Sequence, residues 1–176
     1  MFRKLIGKQK SFGGMRAQAI VEFAIALPVL LLMLVGIMEA SRMLFMYASV
    51  VNASRDAVRY ASAYGKSDSP SSGYLKYKYC TGIKNAAQKS GFFLKNPTIT
   101  IKYDGGPSTG VGSKGTCDLF ASPWEDPDIS VDTGDRVMVT VSVTYAPIMN
   151  KLLPFGTRTF TATSSRTILG VIDLDD

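Results

Sequence analysis

The hydrophobic and polar positions of this chain fall into two regimes. From Ala19 to Met38, twenty residues carry a single charge, Glu22. At about 1.5 Å of rise per residue this stretch spans about 30 Å as a helix, the thickness of a bilayer core. Beyond Glu39 and Arg42 the sequence MLFMYASVVNASRDAVRYASAY has no Gly or Pro before Gly65. Leu44, Tyr47, Val51, Val58 and Ala61 recur there at helical spacing, with Asn52, Asp56 and Arg59 opposite. The pattern predicts one helix from Gln18 to Ala63, roughly 70 Å long. Its first half belongs in lipid and its second half lies half-buried against a folded body.

After a loop from Gly65 to Gly73, rich in Ser and Gly, the pattern predicts a second helix from Tyr74 to Gly91, with Leu75, Tyr79, Ile83, Ala86 and Ala87 as its apolar positions. The period then becomes two. Thr98 to Tyr103 alternates Ile99, Ile101 and Tyr103 on one face, and Arg136 to Tyr145 alternates Val137, Val139, Val141, Val143 and Tyr145. Thr157 to Thr167 is a Thr-rich third strand, reached through the irregular crossing APIMNKLLPFG. Asp104 to Gly134 is expected to be a long loop, which in a compact domain signals function or disorder. The expected fold is α+β: a long N-terminal transmembrane and amphipathic helix packed on a small antiparallel sheet of about three strands.

Charge sharpens this division. The net charge is +6, but residues 1–17 hold Arg3, Lys4, Lys8, Lys10 and Arg16 and no acid; the rest carries 15 basic and 14 acidic residues. A basic flank before an apolar segment points to a cytoplasmic, membrane-proximal N-terminus. With no basic face beyond this leader and no nucleic-acid motif, nucleic-acid binding is disfavoured. The small-x-small requirement of a signal-peptidase site is poorly met by MEASR, which disfavours a cleaved secretory signal. A plain single-pass anchor remains open at this level. Pro28 removes one backbone hydrogen bond inside the helix and predicts a kink, tolerated in a membrane span and usable as a hinge.

The chain has no His, which removes the commonest general base and metal ligand. Neither a nucleophile–base pair nor a metal constellation is visible, so an enzyme is the least favoured class. GGPSTGVGSKGT does not match the phosphate-loop spacing and is expected to be a surface loop. Glu125, Asp126, Asp128, Asp132 and Asp135 gather in one acidic stretch, without the central Gly or twelfth-position Glu of a calcium loop. No metal or other cofactor is expected. Cys80 and Cys117 both follow the apolar run. Outside the cytoplasm they are expected to form a disulfide closing about 37 residues, worth about 4 kcal/mol on the chain-entropy picture; two free thiols would fit a cytoplasmic location.

AQAIVEFAIALPVLLLMLVGIMEASRMLF, followed by RDAVRYAS, resembles the TadE-like pilus assembly proteins, pseudopilins of the tight-adherence branch of type IV filaments. The resemblance covers about residues 14–64 and implies a pilin-like fold. It also implies that a prepilin peptidase cuts on the cytoplasmic side so that Glu22 becomes the fifth mature residue. Gln18 is then the first mature residue and Ala17 the last of the leader, where the family usually has Gly. From the residues alone, Glu22 either registers one helix against another or snorkels to the headgroups; the resemblance favours registration, through the new amino terminus of a neighbouring subunit. The implied organisation is a leader at 1–17, a transmembrane helix at 18–40, its amphipathic continuation at 41–64 and an extracytoplasmic α+β domain at 65–176. The implied partners are other pilin subunits, the prepilin peptidase, the inner-membrane assembly platform and membrane lipid. The implied place is the bacterial inner membrane, and the implied role is that of a structural minor pilin in adhesion. An anchored extracytoplasmic binding domain is the alternative from a different class.

Overall fold

One helix, α1, runs Gly13–Ser62 with Pro28 inside it. The computed structural model describes residues 13–63, 65, 75–106, 112–117, 131–148 and 156–170. The chain divides into two compact units, Met1–Ser41 and Arg42–Asp176.

In the first unit the apolar side chains of α1 face outward: Ile20, Phe23, Ile25, Val29, Leu31 and Leu34 are all exposed. An 18-residue stretch of α1 is apolar enough to cross a bilayer, and none of that stretch is buried. Apolar surface on this scale is not stable in water and calls for lipid or partner helices around it.

The second unit is α+β. After α1 come a 3₁₀ turn at Lys76–Lys78 and helix α2 at Cys80–Ser90. Strands β1 (Thr98–Asp104), β2 (Ser113–Thr116), β3 (Arg136–Tyr145) and β4 (Arg158–Thr167) follow. They form one antiparallel sheet in the order β2-β1-β3-β4. Val137, Val139, Val141, Val143 and Tyr145 point to one face and are buried, beside Ile101 and Tyr103 of β1. The same cluster takes in Val50, Ala53, Ala57, Val58 and Ala61 of α1 and Ile83 and Ala87 of α2. The opposite face carries hydroxyls: Thr140 Oγ1 lies 2.8 Å from Thr163 Oγ1, and Ser142 Oγ lies 3.0 Å from Thr161 Oγ1. Strand alternation thus separates an aliphatic face from a hydroxyl face.

Three expectations need correction. The sheet has four strands, not three: Ser113–Thr116, inside the expected long loop, pairs with β1 through Lys102↔Thr116 and Tyr103↔Gly115. An edge strand needs only backbone partners, so Ser-Lys-Gly-Thr forms one without an apolar face. The second helix starts at Cys80, because Lys76–Lys78 closes as a tight turn in which the Lys78 amide donates to the Leu75 carbonyl at 2.9 Å. The buried stripe of α1 is also rotated from its expected position. Leu44 and Tyr47 are exposed, and the helix packs through Val50, Ala53, Ser54, Ala57, Val58 and Ala61. Small and β-branched side chains fill the buried stripe, and the large apolar ones Leu44 and Tyr47 are left outside.

At two positions the close packing requires glycine. A Cβ on Gly82 would run into the Tyr79 ring and lie 2.6 Å from the Tyr60 hydroxyl; on Gly91 it would lie 2.8 Å from Leu94 Cδ1 and 3.0 Å from the Ala87 carbonyl oxygen. Gly91 also ends α2, its amide donating to Ala87 at 2.8 Å.

Candidate functional site

The apolar run of the first unit, Ala19 to Met38, carries one charged side chain, Glu22. Glu22 sits on α1 one turn after Gln18, whose Nε2 donates to Glu22 Oε1 at 3.2 Å. Ile25, Ala26, Val29 and Leu30 line a shallow groove beside the carboxylate. A carboxylate has about four acceptor positions. Among the described residues Gln18 is its hydrogen-bond partner, so acceptor capacity remains for a cation brought by another molecule. In low-dielectric surroundings such a cation interacts far more strongly than in water. The arrangement is one anionic side chain on an exposed apolar run, Ala19 to Met38.

Ala17 and Gln18 both lie on α1. Cys80 and Cys117 are joined by a disulfide with a Cα–Cα distance of 5.8 Å, well inside the range the bridge accepts. It links the start of α2 to the residue after β2, whose amide donates to the Ile101 carbonyl at 3.0 Å. Tyr103 is fully buried next to it, its hydroxyl donating to the Tyr77 carbonyl at 2.5 Å and lying 3.2 Å from Cys117 Sγ.

The acidic stretch is only partly within the described residues; Glu125, Asp126 and Asp128 lie outside them. Asp135 is buried and bound by Lys114 Nζ at 2.8 Å and by the Asp132 amide at 2.8 Å. Burial alone pushes the Asp135 carboxyl up, but that amide and the Lys114 ammonium outweigh it and hold it below the ordinary value. Lys114 comes from the Gly-rich stretch, so one expected surface loop contributes a strand and an ion pair. Among the described residues no three His, Cys, Asp or Glu side chains gather as metal ligands.

The sequence match follows the helix rather than the sheet. Residues 17–59 match the TadE-like protein family. The match is consistent with a TadE-like pilus assembly protein. It takes in Glu22, Pro28, the whole apolar run and most of the stripe that enters the core. No curated protein and no solved structure matches the chain.

A second feature near the TadE-like segment was not singled out from sequence. Phe45 meets Phe93 edge-on with ring centroids 5.0 Å apart, and Phe93 meets Phe92 at 4.5 Å. All three are exposed. The signal was there, as two aromatic residues directly after a helix-stopping Gly, but periodicity assigns such a pair to no face.

Proposed function

We propose that this chain is a minor pilin or pseudopilin of a tight-adherence-type pilus. It is held by a single span with its N-terminus in the cytoplasm and its α+β unit outside. The observation that carries this reading is the coincidence of the TadE-like match with an exposed apolar run, Ala19 to Met38, that bears one carboxylate, Glu22. Its role is structural rather than catalytic. A prepilin peptidase cuts between Ala17 and Gln18 and creates an α-amino group. Glu22, near the N-terminal end of the mature helix, is favoured by the helix dipole. It pairs with the amino terminus of a neighbouring pilin, and that pairing offsets the desolvation of both charges. Pilin subunits, the peptidase, the inner-membrane assembly platform and lipid are then the partners.

Glu22→Gln tests the reading. The change keeps the shape and removes the charge, which leaves insertion unharmed or eases it. The expected result is parent-like abundance, a mature N-terminus at Gln18 in both proteins, and loss of pilus formation or of co-purifying pilins. A variant that assembles like the parent would show Glu22 to be interfacial only. Full-length protein as the sole species in cells that contain the peptidase would remove the pilin reading itself.

A further inference from the structure

The second unit contains a cleft with unusual charge. Arg55 and Arg59 of α1 and Arg166 of β4 line an open cleft of about 340 Å³, together with Ser164 and Ser165. Arg55 and Arg59 are four residues apart, so on the helix their side chains leave from one face about 5–6 Å apart. Arg166 sits opposite Val137 in the β3–β4 register. At the neighbouring serine the two elements touch: Ser164 Oγ lies 2.9 Å from Ser54 Oγ of α1. No carboxylate lines the cleft among the described residues. Asp56, between the two helix arginines, accepts from Ser90 Oγ at 2.5 Å. Asp104 holds Arg136 and Asp135 holds Lys114. Among the described residues, no ion pair involves Arg55, Arg59 or Arg166.

Three like charges converging on one cavity repel one another unless an anion joins them. We propose that this cleft is a binding site for a phosphate-class oxyanion, gripped by Arg55, Arg59 and Arg166. The stoichiometry of charge and donors selects the ligand. A carboxylate has one negative charge and two oxygens, and a single guanidinium fork satisfies it. Three forks exceed that capacity. A terminal phosphate carries about −1.5 to −2 charge at neutral pH and three acceptor oxygens, each able to accept from more than one donor. Arginine rather than lysine suits the task, because its planar fork binds two oxygens in fixed geometry. The ligand is therefore a phosphate monoester or inorganic phosphate. The monoester comes either from a soluble molecule or from a headgroup such as that of phosphatidic acid. The site stands on the second unit alone and holds whether or not the chain assembles into a pilus.

The test uses the full chain in neutral-detergent micelles. Inorganic phosphate is titrated calorimetrically at constant ionic strength, with acetate as the comparison anion. Saturable phosphate binding, tighter than acetate, is expected. Arg59→Gln is expected to weaken it by about tenfold or more, the scale of one lost charge-assisted contact. Arg59→Lys keeps the charge, loses the fork and should fall between the two. All three arginines are exposed, so these variants should retain the parent circular dichroism spectrum and the Cys80–Cys117 bridge, which are measured alongside. Repeating the phosphate titration in nanodiscs of phosphatidylcholine, with and without phosphatidic acid, separates the sources. Suppression by phosphatidic acid identifies the headgroup, and unchanged binding identifies a soluble ligand. Absence of saturable binding in micelles, equal affinity for acetate, or parent-like phosphate binding by Arg55→Gln/Arg59→Gln/Arg166→Gln in a folded protein overturns the proposal.

Discussion

Asp104 and Arg136 face each other across β1 and β3, with Arg136 Nε 2.8 Å from Asp104 Oδ1 and a second bond of 2.6 Å to Oδ2. This two-point contact holds the Asp104 carboxyl below its ordinary value of 3.8; burial opposes the shift and the Gly106 amide adds to it. Asp135 is also held below 3.8. Both carboxyls therefore bind protons more weakly in the folded chain than in the unfolded one. Their contribution to stability is complete above the unfolded value and is lost as pH falls through the folded values. Urea midpoints are expected to hold steady from neutral pH down to about pH 5 and to drop below about pH 4. Asp104→Asn should lower the neutral midpoint and flatten part of that acid slope. A variant with the full parent slope would place the acid sensitivity elsewhere. Neither carboxylate was legible as a paired residue in the sequence. In the sequence Asp104 opens a long loop and Asp135 belongs to an acidic stretch. Pairing depends on strand register, which side-chain identity does not specify.

Among the elements, legibility tracks the size of the apolar signal. β3 alternates five apolar residues and was readable residue by residue, as was the pair Ile101 and Tyr103. β2 has no apolar residue to report it; it exists because β1 presents an open edge and Lys114 meets Asp135. In α1 the existence of a helix was legible, but the orientation of its packed face was not. Large residues dominate the periodicity, while the buried stripe is made of Ala, Ser and Val. Two substitutions separate these faces. Ala57 is fully buried, whereas Leu44 keeps 67% of its surface exposed. Ala57→Leu forces extra methylenes into a filled space and should destabilise the second unit by about 1–3 kcal/mol. Leu44→Ala removes a side chain this unit does not bury and should change its stability by less than about 0.5 kcal/mol. Chemical denaturation followed by near-ultraviolet circular dichroism reads both. A larger loss for Leu44→Ala than for Ala57→Leu would restore the stripe drawn from sequence.

At the scale of the whole molecule, the two units draw on different sources of stability, so one perturbation can separate them. The first unit exposes its apolar side chains, and its helix is long and apolar enough to cross a membrane, where transfer of that surface into lipid would stabilise it. The second has a buried aliphatic core and a disulfide that closes 37 residues between Cys80 and Cys117. Replacing both cysteines by Ser restores loop entropy to the unfolded state, for a loss of about 4 kcal/mol on the chain-entropy picture. That is a large share of the 5–15 kcal/mol typical of a domain. The damage should concentrate where the bridge acts, because it ties α2 to β2 and β2 reaches the sheet only through β1. The double variant should therefore show a lower melting temperature and faster proteolysis between Cys80 and Cys117, while α1 stays in the membrane fraction after alkaline extraction. Membrane retention needs nothing from the sheet, and the bridge contributes nothing to the transfer of Phe23–Met38 into lipid. Loss of the double variant from the membrane fraction would mean that the span depends on the folded unit, and the separation drawn here would fail.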